Sequence, residues 1–203
     1  MIGIIKYRSG NLASVSNALD RLRASYIISD RSEELDRCDA ILFPGVGHAS
    51  SAMEDLKSRN LDHWLRNTSK PVLGICLGMQ LMYEFTEEGA VETLGVLPGR
   101  LQKFDSSRAK VPHMGWNQID VIKTHPLFKG FRENHYYYFV HSYYAPMNEY
   151  TLASCEYIDK FSAVAAKNNF MGVQFHPEKS GEAGSLLLKN FLKITQRFIH
   201  KSL

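Results

Sequence analysis

The first half of the chain alternates short, wholly apolar runs with stretches whose apolar residues recur at helical spacing. Ile2-Gly3-Ile4-Ile5 reads as a buried strand. The turn Ser9-Gly10-Asn11 follows, ending in a residue able to cap a helix, and then Leu12, Val15, Leu19 and Leu22 mark one helical face. Tyr26-Ile27-Ile28 predicts a second strand, Ser32 the cap of a short helix through Arg37, and Ala40-Ile41-Leu42-Phe43 a third strand ended by Pro44-Gly45-Val46-Gly47. Met53 and Leu56 share a face of the next helix, with Leu61, Trp64 and Leu65 beyond it. Val72-Leu73-Gly74-Ile75 predicts a fourth strand, and Leu77 to Tyr83 continues as a helix. Strands apolar throughout and separated by helices pack as a parallel sheet covered on both faces.

From about residue 90 the pattern turns antiparallel. Leu94-Gly95-Val96-Leu97, Asn117 to Ile122, His135 to Tyr144, Tyr150 to Cys155 and Ala163 to Ala166 read as strands, and Asn168-Asn169 as the turn before Phe170 to Phe175. A last helix carries Leu187, Phe191, Ile194 and Phe198 on one face. With no repeat, low-complexity tract or linker, the expectation is one domain over residues 1–203. Its fold class is α/β, an open, mixed, mainly parallel sheet flanked by helices with a smaller antiparallel β region in the second half.

Composition narrows the function classes. A chain of 203 residues buries roughly 70% of its unfolded surface and needs no staple. Three scattered cysteines, Cys38, Cys76 and Cys155, offer no C-x-x-C pair, and the histidines complete no metal-ligand pattern. A reducing compartment is expected, with no metal. The net charge of +3 is small and the basic residues are scattered, which argues against nucleic acid. No apolar stretch approaches the ~20 residues of a membrane span, and no basic leader precedes Ile2, so a cytoplasmic location is expected. Neither a P-loop nor a dinucleotide fingerprint is present, so no cofactor is expected.

Gly74-Ile75-Cys76-Leu77-Gly78 has the form of a nucleophile elbow with cysteine as nucleophile. A sharp strand-to-helix turn holds such a residue in strained geometry, and small neighbours leave room for adjacent chain. The N-terminal N–H groups of the following helix favour the reactive thiolate, and the N–H of Leu77 can stabilise an oxyanion. An arbitrary cysteine is more often structural; the elbow reverses that preference. A thiol nucleophile needs a base, and the base an orienting group. Val173-Gln174-Phe175-His176-Pro177-Glu178 supplies both, His176 at a strand end and Glu178 two residues on, where extended backbone points both side chains the same way. Taken alone, this segment is equally a surface turn. Pro44-Gly45-Val46-Gly47 can turn backbone N–H groups toward a neighbouring site, although most such tetrapeptides are plain turns. His141 is the one rival base. His48, His63, His125 and His200 read as surface residues, and Cys38 and Cys155, which lack an elbow, as inert.

Together these segments resemble the class I (triad-type) glutamine amidotransferases, whose fold is flavodoxin-like. The likeness runs closest to the glutaminase subunits of imidazole glycerol phosphate synthases. Gly10-Asn11-Leu12, Pro44 to Gly47, Gly74 to Leu81, Pro112-His113-Met114-Gly115-Trp116-Asn117, Tyr138 to Tyr143 and Gln174 to Gly181 carry the resemblance over nearly the whole chain. It implies Cys76 as nucleophile, His176 as base and Glu178 as orienter. It further implies Val46 and Leu77 as oxyanion N–H donors, and Gly47, Gln80, Glu88, Ser142 and Tyr143 as the residues holding glutamine, with Glu87 adjoining Glu88. Trp116, Asn117 and Lys179 would meet the partner, a cyclase subunit built as a (β/α)8 barrel, in a heterodimer that channels ammonia.

One departure stands out: Lys6-Tyr7-Arg8-Ser9 replaces the Asp-Tyr-Gly usual before Gly-Asn. It leaves the pathway open between histidine biosynthesis, with its purine-precursor by-product, and a paralogous subunit serving a cyclase-like partner in surface-sugar biosynthesis. Another cysteine hydrolase, such as a peptidase, would share Cys76 and His176 but not these strings. A non-catalytic docking subunit would have no reason to keep all three triad residues.

Overall fold

The computed structural model describes residues 1–8 and 11–201, the last five of these through their backbone alone. Strands β1 (Ile2–Ile5), β2 (Tyr26–Ser29), β3 (Ala40–Gly45) and β4 (Val72–Cys76) alternate with helices α1 (Leu12–Arg21), α2 (Ser32–Leu35), α3 (Ala49–Ser58) and α4 (Leu61–Asn67). Beyond β4 come α5 (Leu77–Gln80), β5 (Phe85–Thr86), β6 (Val91–Glu92), β7 (Arg100–Lys103), β8 (His113–Asn117) and β9 (Asp120–Val121). The rest is β10 (Tyr137–His141), β11 (Tyr143–Tyr144), β12 (Thr151–Glu156), β13 (Lys160–Lys167), β14 (Phe170–Val173) and α6 (Gly181–Lys201).

The main sheet runs β2-β1-β3-β4-β14-β13-β12-β9. Its first five strands are parallel and the last three antiparallel. Side chains on the parallel strands alternate between two cores. Ile4, Leu42, Leu73, Ile75 and Val173 pack under α1, α6 and part of β10 through Val15, Leu19, Leu187, Phe191 and Phe139. Ile5, Ile41, Phe43 and Val72 pack under α2 to α5 through Leu35, Met53, Leu56, Leu61 and Met79. That period of two, with both faces apolar, is why the strands read as continuous hydrophobic runs. Burying a single Leu or Ile this way stabilises by about 1.5–3 kcal/mol before chain entropy is counted.

Two smaller sheets complete the antiparallel part: the ribbon β8-β10 and the four-stranded β11-β7-β5-β6. Several expectations change here. The segment Leu94–Leu97 is not a strand, because its N–H groups are turned elsewhere. Those of Leu94, Gly95 and Leu97 donate to the carbonyls of Leu81, Tyr83 and Met82. The same bonds stop α5 after one regular turn, so the helix expected as far as Tyr83 ends at Gln80 and continues as tighter turns. The expected strand Asn117 to Ile122 is split between the end of β8 and the short β9, and His135 to Tyr144 divides into β10 and β11. Ser32 is the first helical residue and not a cap; Arg31 precedes it, and no side chain caps α2. Strands β5 to β7 were not expected at all. Ser9 and Gly10 lie outside the described residues, as does the side chain of Phe198.

Candidate active site

The loops after β3 and β4, the turn after β14 and the ends of β10 and β11 converge on one cavity of about 260 Å³. Its walls include Val46, Gly47, Cys76, Leu77, Gln80, Glu88, Ser142, Tyr143 and His176. Nine residues named from the sequence thus meet at one place. Cys76 sits at φ +53°, ψ −111°, a conformation sparsely populated for a residue with a side chain, in the sharp turn between β4 and α5. The flanking glycines are there because the chain passes too close for anything larger. A Cβ on Gly78 would lie 1.7 Å from the Phe43 carbonyl oxygen, and one on Gly74 would lie 2.7 Å from the Met79 nitrogen.

His176 and Glu178 meet, but not by the extended alternation expected. β14 ends at Val173, and residues Pro177–Lys179 form a 3₁₀ turn that swings the carboxylate back under the ring. His176 Nδ1 donates to Glu178 Oε1 at 2.7 Å, with both side chains buried. The turn is clamped to β10: the N–H of His176 donates to the Tyr138 carbonyl, and the Ser180 hydroxyl bridges the His176 carbonyl and the Tyr138 N–H. Burial alone would depress the His176 pKa. The proximity of Cys76 and the hydrogen bond to Glu178, with the charges both can carry, overcome that and raise it to about 10. The other ring nitrogen, Nε2, is buried with no hydrogen-bond partner among the described residues. The Cys76 thiol instead contacts the Val140 carbonyl at 3.8 Å.

Around this centre, Gln80 Nε2 donates to the Tyr143 carbonyl and to Gln174 Oε1, both at 3.0 Å, and Gln174 Nε2 lies 3.8 Å from Cys76 Sγ. Of the two adjoining glutamates, Glu88 is half-buried in the cavity wall and accepts from the Ala49 N–H at 2.9 Å. Burial raises its pKa against that N–H and the nearby His48. Glu87 is exposed and accepts from the Lys103 N–H. His141 lines the cavity but is no base: burial takes its pKa down to about 3, and both its nitrogens are bonded. His48 and His63 are exposed, His125 is half-buried and caps a short turn, and the side chain of His200 lies outside the described residues. Cys38 and Cys155 are buried free thiols whose pKa values burial raises, that of Cys155 to about 12. Neither can form a thiolate readily.

Trp116, Asn117 and Lys179 lie outside the cavity on its β8-β10 flank. Trp116 is 56% exposed and packs edge-on against Tyr138, over which the Lys179 ammonium sits at 5.7 Å. The sequence gives Asn11 a capping role and no catalytic one; it stands at the N-cap of α1 without a side-chain cap bond, and its amide donates instead to Glu178 Oε1 at 3.3 Å and so supports the carboxylate. Gln174, His113 and Tyr7 are residues that the sequence leaves without a role. The buried Tyr7 hydroxyl lies against Gly45. Asn11, His113 and Gln174 fall within the motif strings, and their polarity beside apolar runs is the available signal. Lys6 and Arg8, where the sequence departs from the resembling family, are exposed.

A model for the class I glutamine amidotransferases matches residues 6–195. The chain belongs to that family. A Bacteroides fragilis protein named imidazole glycerol phosphate synthase subunit HisH is 48% identical over 95% of this chain and 99% of its own length. One from Campylobacter jejuni, named imidazole glycerol phosphate synthase subunit HisH 2, is 49% identical over 94% and 96%. Among solved structures, PurLQS from Thermotoga maritima superimposes with a TM-score of 0.69 at 20% identity, covering 95% of this chain and 97% of that one. Another, a glutamine amidotransferase, does so with a TM-score of 0.75 at 17% identity over 96% of this chain and 98% of its own. This amidotransferase therefore shares its mixed α/β fold with distant relatives and nearly its full length with close ones. Among its described residues no helix is long and apolar enough to cross a membrane.

Proposed function

We propose that this chain is the glutaminase subunit of an imidazole glycerol phosphate synthase. It hydrolyses glutamine to glutamate and delivers the ammonia to a cyclase partner built as a (β/α)8 barrel, in histidine biosynthesis. The observation that carries the chemistry is the buried 2.7 Å His176–Glu178 pair, whose ring lines the same cavity as a strained Cys76. The close relatives' names support the choice of pathway.

Glutamine enters with its side-chain amide toward Cys76, its polar groups held by Gly47, Gln80, Glu88, Ser142 and Tyr143. Cys76 Sγ attacks the amide carbon, and the developing oxyanion is met by the N–H groups of Val46 and Leu77. His176, already carrying a proton, gives it to the departing nitrogen, so ammonia leaves and a thioester remains. His176 then takes a proton from water, whose oxygen attacks the thioester; the sulfur departs and glutamate is released. Glu178 keeps Nδ1 protonated and Nε2 turned to the reaction throughout. One missing oxyanion donor would slow the reaction roughly 100- to 1,000-fold. Ammonium is not nucleophilic, so the product must pass to its acceptor without meeting bulk water. Trp116 and Lys179, exposed beside the cavity, are the surface we assign to that docked partner, whereas the amide of half-buried Asn117 is turned inward to the Glu156 carbonyl and His113.

The test is glutamate release by the purified chain, alone and with the cyclase and its nucleotide ligand, using Cys76→Ala as control. Stimulation abolished in the variant is expected. Cys76-dependent hydrolysis indifferent to that cyclase would refute the pathway but keep the amidotransferase, and no hydrolysis in the complex would refute the triad.

A further inference from the structure

We propose that His113 and His141 form a proton-ordered pair that positions the Tyr143 and Gln80 side of the cavity, and so act as positioning residues for substrate binding. This rests on the reading of the cavity as a glutamine site.

The direction of every proton in the pair can be worked out from its two ends. At one end, the Gln118 N–H donates to Asn117 Oδ1 at 2.8 Å, which fixes the orientation of that amide. Asn117 Nδ2 therefore faces the Glu156 carbonyl at 3.0 Å and His113 Nε2 at a longer 3.4 Å. An amide nitrogen can only donate, so His113 Nε2 must be bare and the proton must sit on Nδ1. That Nδ1–H points at His141 Nε2, 3.1 Å away, which must accept. His141 then carries its proton on Nδ1 and donates to the Tyr143 carbonyl at 2.9 Å. A carbonyl can only accept, so the far end demands the same order independently. Both rings are neutral Nδ1–H tautomers. A second proton on His113 would face the Asn117 NH₂, and one on His141 would face His113 Nδ1–H.

The pair is held in an aromatic cluster. The two histidines are 4% and 5% exposed. His113 stacks on Phe139 and Tyr157, and His141 packs against Phe104 and Phe161. Such a site would accept apolar rings readily, and burying two imidazoles there is unfavourable unless each nitrogen is bonded. All four are. A fully satisfied buried network of this kind specifies one geometry more sharply than apolar packing can.

What the network specifies is the cavity wall. The Tyr143 carbonyl at its end also receives Gln80 Nε2, which bonds on to Gln174, next to Cys76 Sγ. One oxygen thus ties the pair to Gln80 and to the backbone between Ser142 and Tyr144. No step of the hydrolysis passes a proton through either histidine.

The experiment measures glutamine KM and kcat of the full chain in complex with its cyclase partner. His113→Phe keeps the stacking ring but strands His141 Nε2 without a donor. His113→Asn returns an N–H close to the position of Nδ1. The expected result is a rise in KM of about tenfold for His113→Phe, with kcat changed less than about twofold, and recovery of most of the loss in His113→Asn. A ring needed only for packing would lower the melting temperature and leave KM alone. An unchanged KM in a folded His113→Phe variant overturns the proposal. Should that variant fail to fold, nitrogen-15 imidazole spectra of the wild-type chain at neutral pH decide: protonated Nδ1 and bare Nε2 on both rings are expected, and the opposite tautomer or an imidazolium on either ring overturns it. If the complex shows no Cys76-dependent turnover, the glutaminase reading has failed and the positioning role falls with it, whereas the spectra alone failing would leave that reading standing.

Discussion

The two elbow glycines make a graded test of how tightly the fold holds its nucleophile. Alanine at Gly78 would place its Cβ 1.7 Å from the Phe43 carbonyl oxygen, where contacts under 3.0 Å essentially never occur. The neighbour is backbone of the central strand β3, so no side chain can rotate away. Strand and elbow must separate by more than an ångström. Alanine at Gly74 meets the Met79 nitrogen and the Gly78 carbonyl at 2.7 and 2.8 Å, which a shift of a few tenths relieves. Gly95, at φ +66° with nothing within 4 Å of its added Cβ, is the control for backbone strain alone. Overpacking a core costs about 1–3 kcal/mol, a left-handed non-glycine residue about 1–2 kcal/mol, and a reacting group misplaced by about 1 Å can lose roughly 100-fold in rate. The expected order in kcat/KM is therefore Gly78→Ala, down about 100-fold, then Gly74→Ala, then Gly95→Ala near wild type. In thermal unfolding, Gly95→Ala should drop by about 2–8 °C and Gly78→Ala by more. The assay is glutamate release in the presence of the partner, alongside circular-dichroism melts. Wild-type kinetics in a folded Gly78→Ala variant would overturn this account, because it would mean that the elbow's geometry is not what readies Cys76.

Glu178→Gln keeps an acceptor for His176 Nδ1 but removes the charge; kcat should fall about 1,000-fold or more, while Asn11→Ala, which removes only the 3.3 Å support of the same oxygen, should lose about tenfold. Equal losses in the two variants would contradict the assigned roles. A glutamine-mimicking electrophile should label Cys76 and spare Cys38 and Cys155, whose thiols burial holds protonated, and peptide mapping of the adduct would detect the contrary. Stability should also fall in mild acid. Burial lowers His113 and His141 to about 4 and about 3 from an ordinary 6.5, so their contribution is complete above pH 6.5 and declines as the unfolded chain takes up protons that the folded chain refuses. Each histidine approaches a slope of about 1.4 kcal/mol per pH unit between 6.5 and its folded-state value. Urea midpoints that stay flat from pH 6.5 to 4.5 would contradict this.

What the sequence disclosed follows the range of the interactions involved. The parallel half of the sheet was legible because its signals are local: wholly apolar strands, helical spacing, and Gly-x-Cys-x-Gly at a crossover. Strands β5 to β7 have no local signature because they are short and exist through pairing with one another and with β11, and Leu94–Leu97 is a loop because its N–H groups bond to carbonyls at 81–83. Apolar content alone could not tell a strand from a loop that completes the end of a helix. The triad shows the same limit from the other side. Its members are named by short local strings, yet the route by which Glu178 reaches His176 is a 3₁₀ turn clamped to β10 by Ser180, and that contact spans more than thirty positions of sequence.

The cavity divides along the same line. The parallel strands deliver Cys76, His176 and the turns carrying Val46 and Leu77, each at or beyond the carboxyl end of its strand, where an open α/β sheet leaves room for chemistry. The antiparallel part delivers Ser142, Tyr143 and the carbonyl of Val140, and it is tied to the first part through long-range polar bonds: Gln80 to Tyr143, Cys76 to Val140, His176 to Tyr138. The β8-β10 ribbon that makes two of these bonds also carries exposed Trp116 on its outer side. One two-stranded element therefore touches the nucleophile, the base and the surface assigned to the partner. Among the described residues the ribbon is joined to the main sheet by side-chain packing and single hydrogen bonds, with no strand pairing to it. Because this ribbon holds the His176 turn through Tyr138 and Ser180 and meets the Cys76 thiol through Val140, any displacement of it by a molecule docked against Trp116 would reach the base and the nucleophile directly.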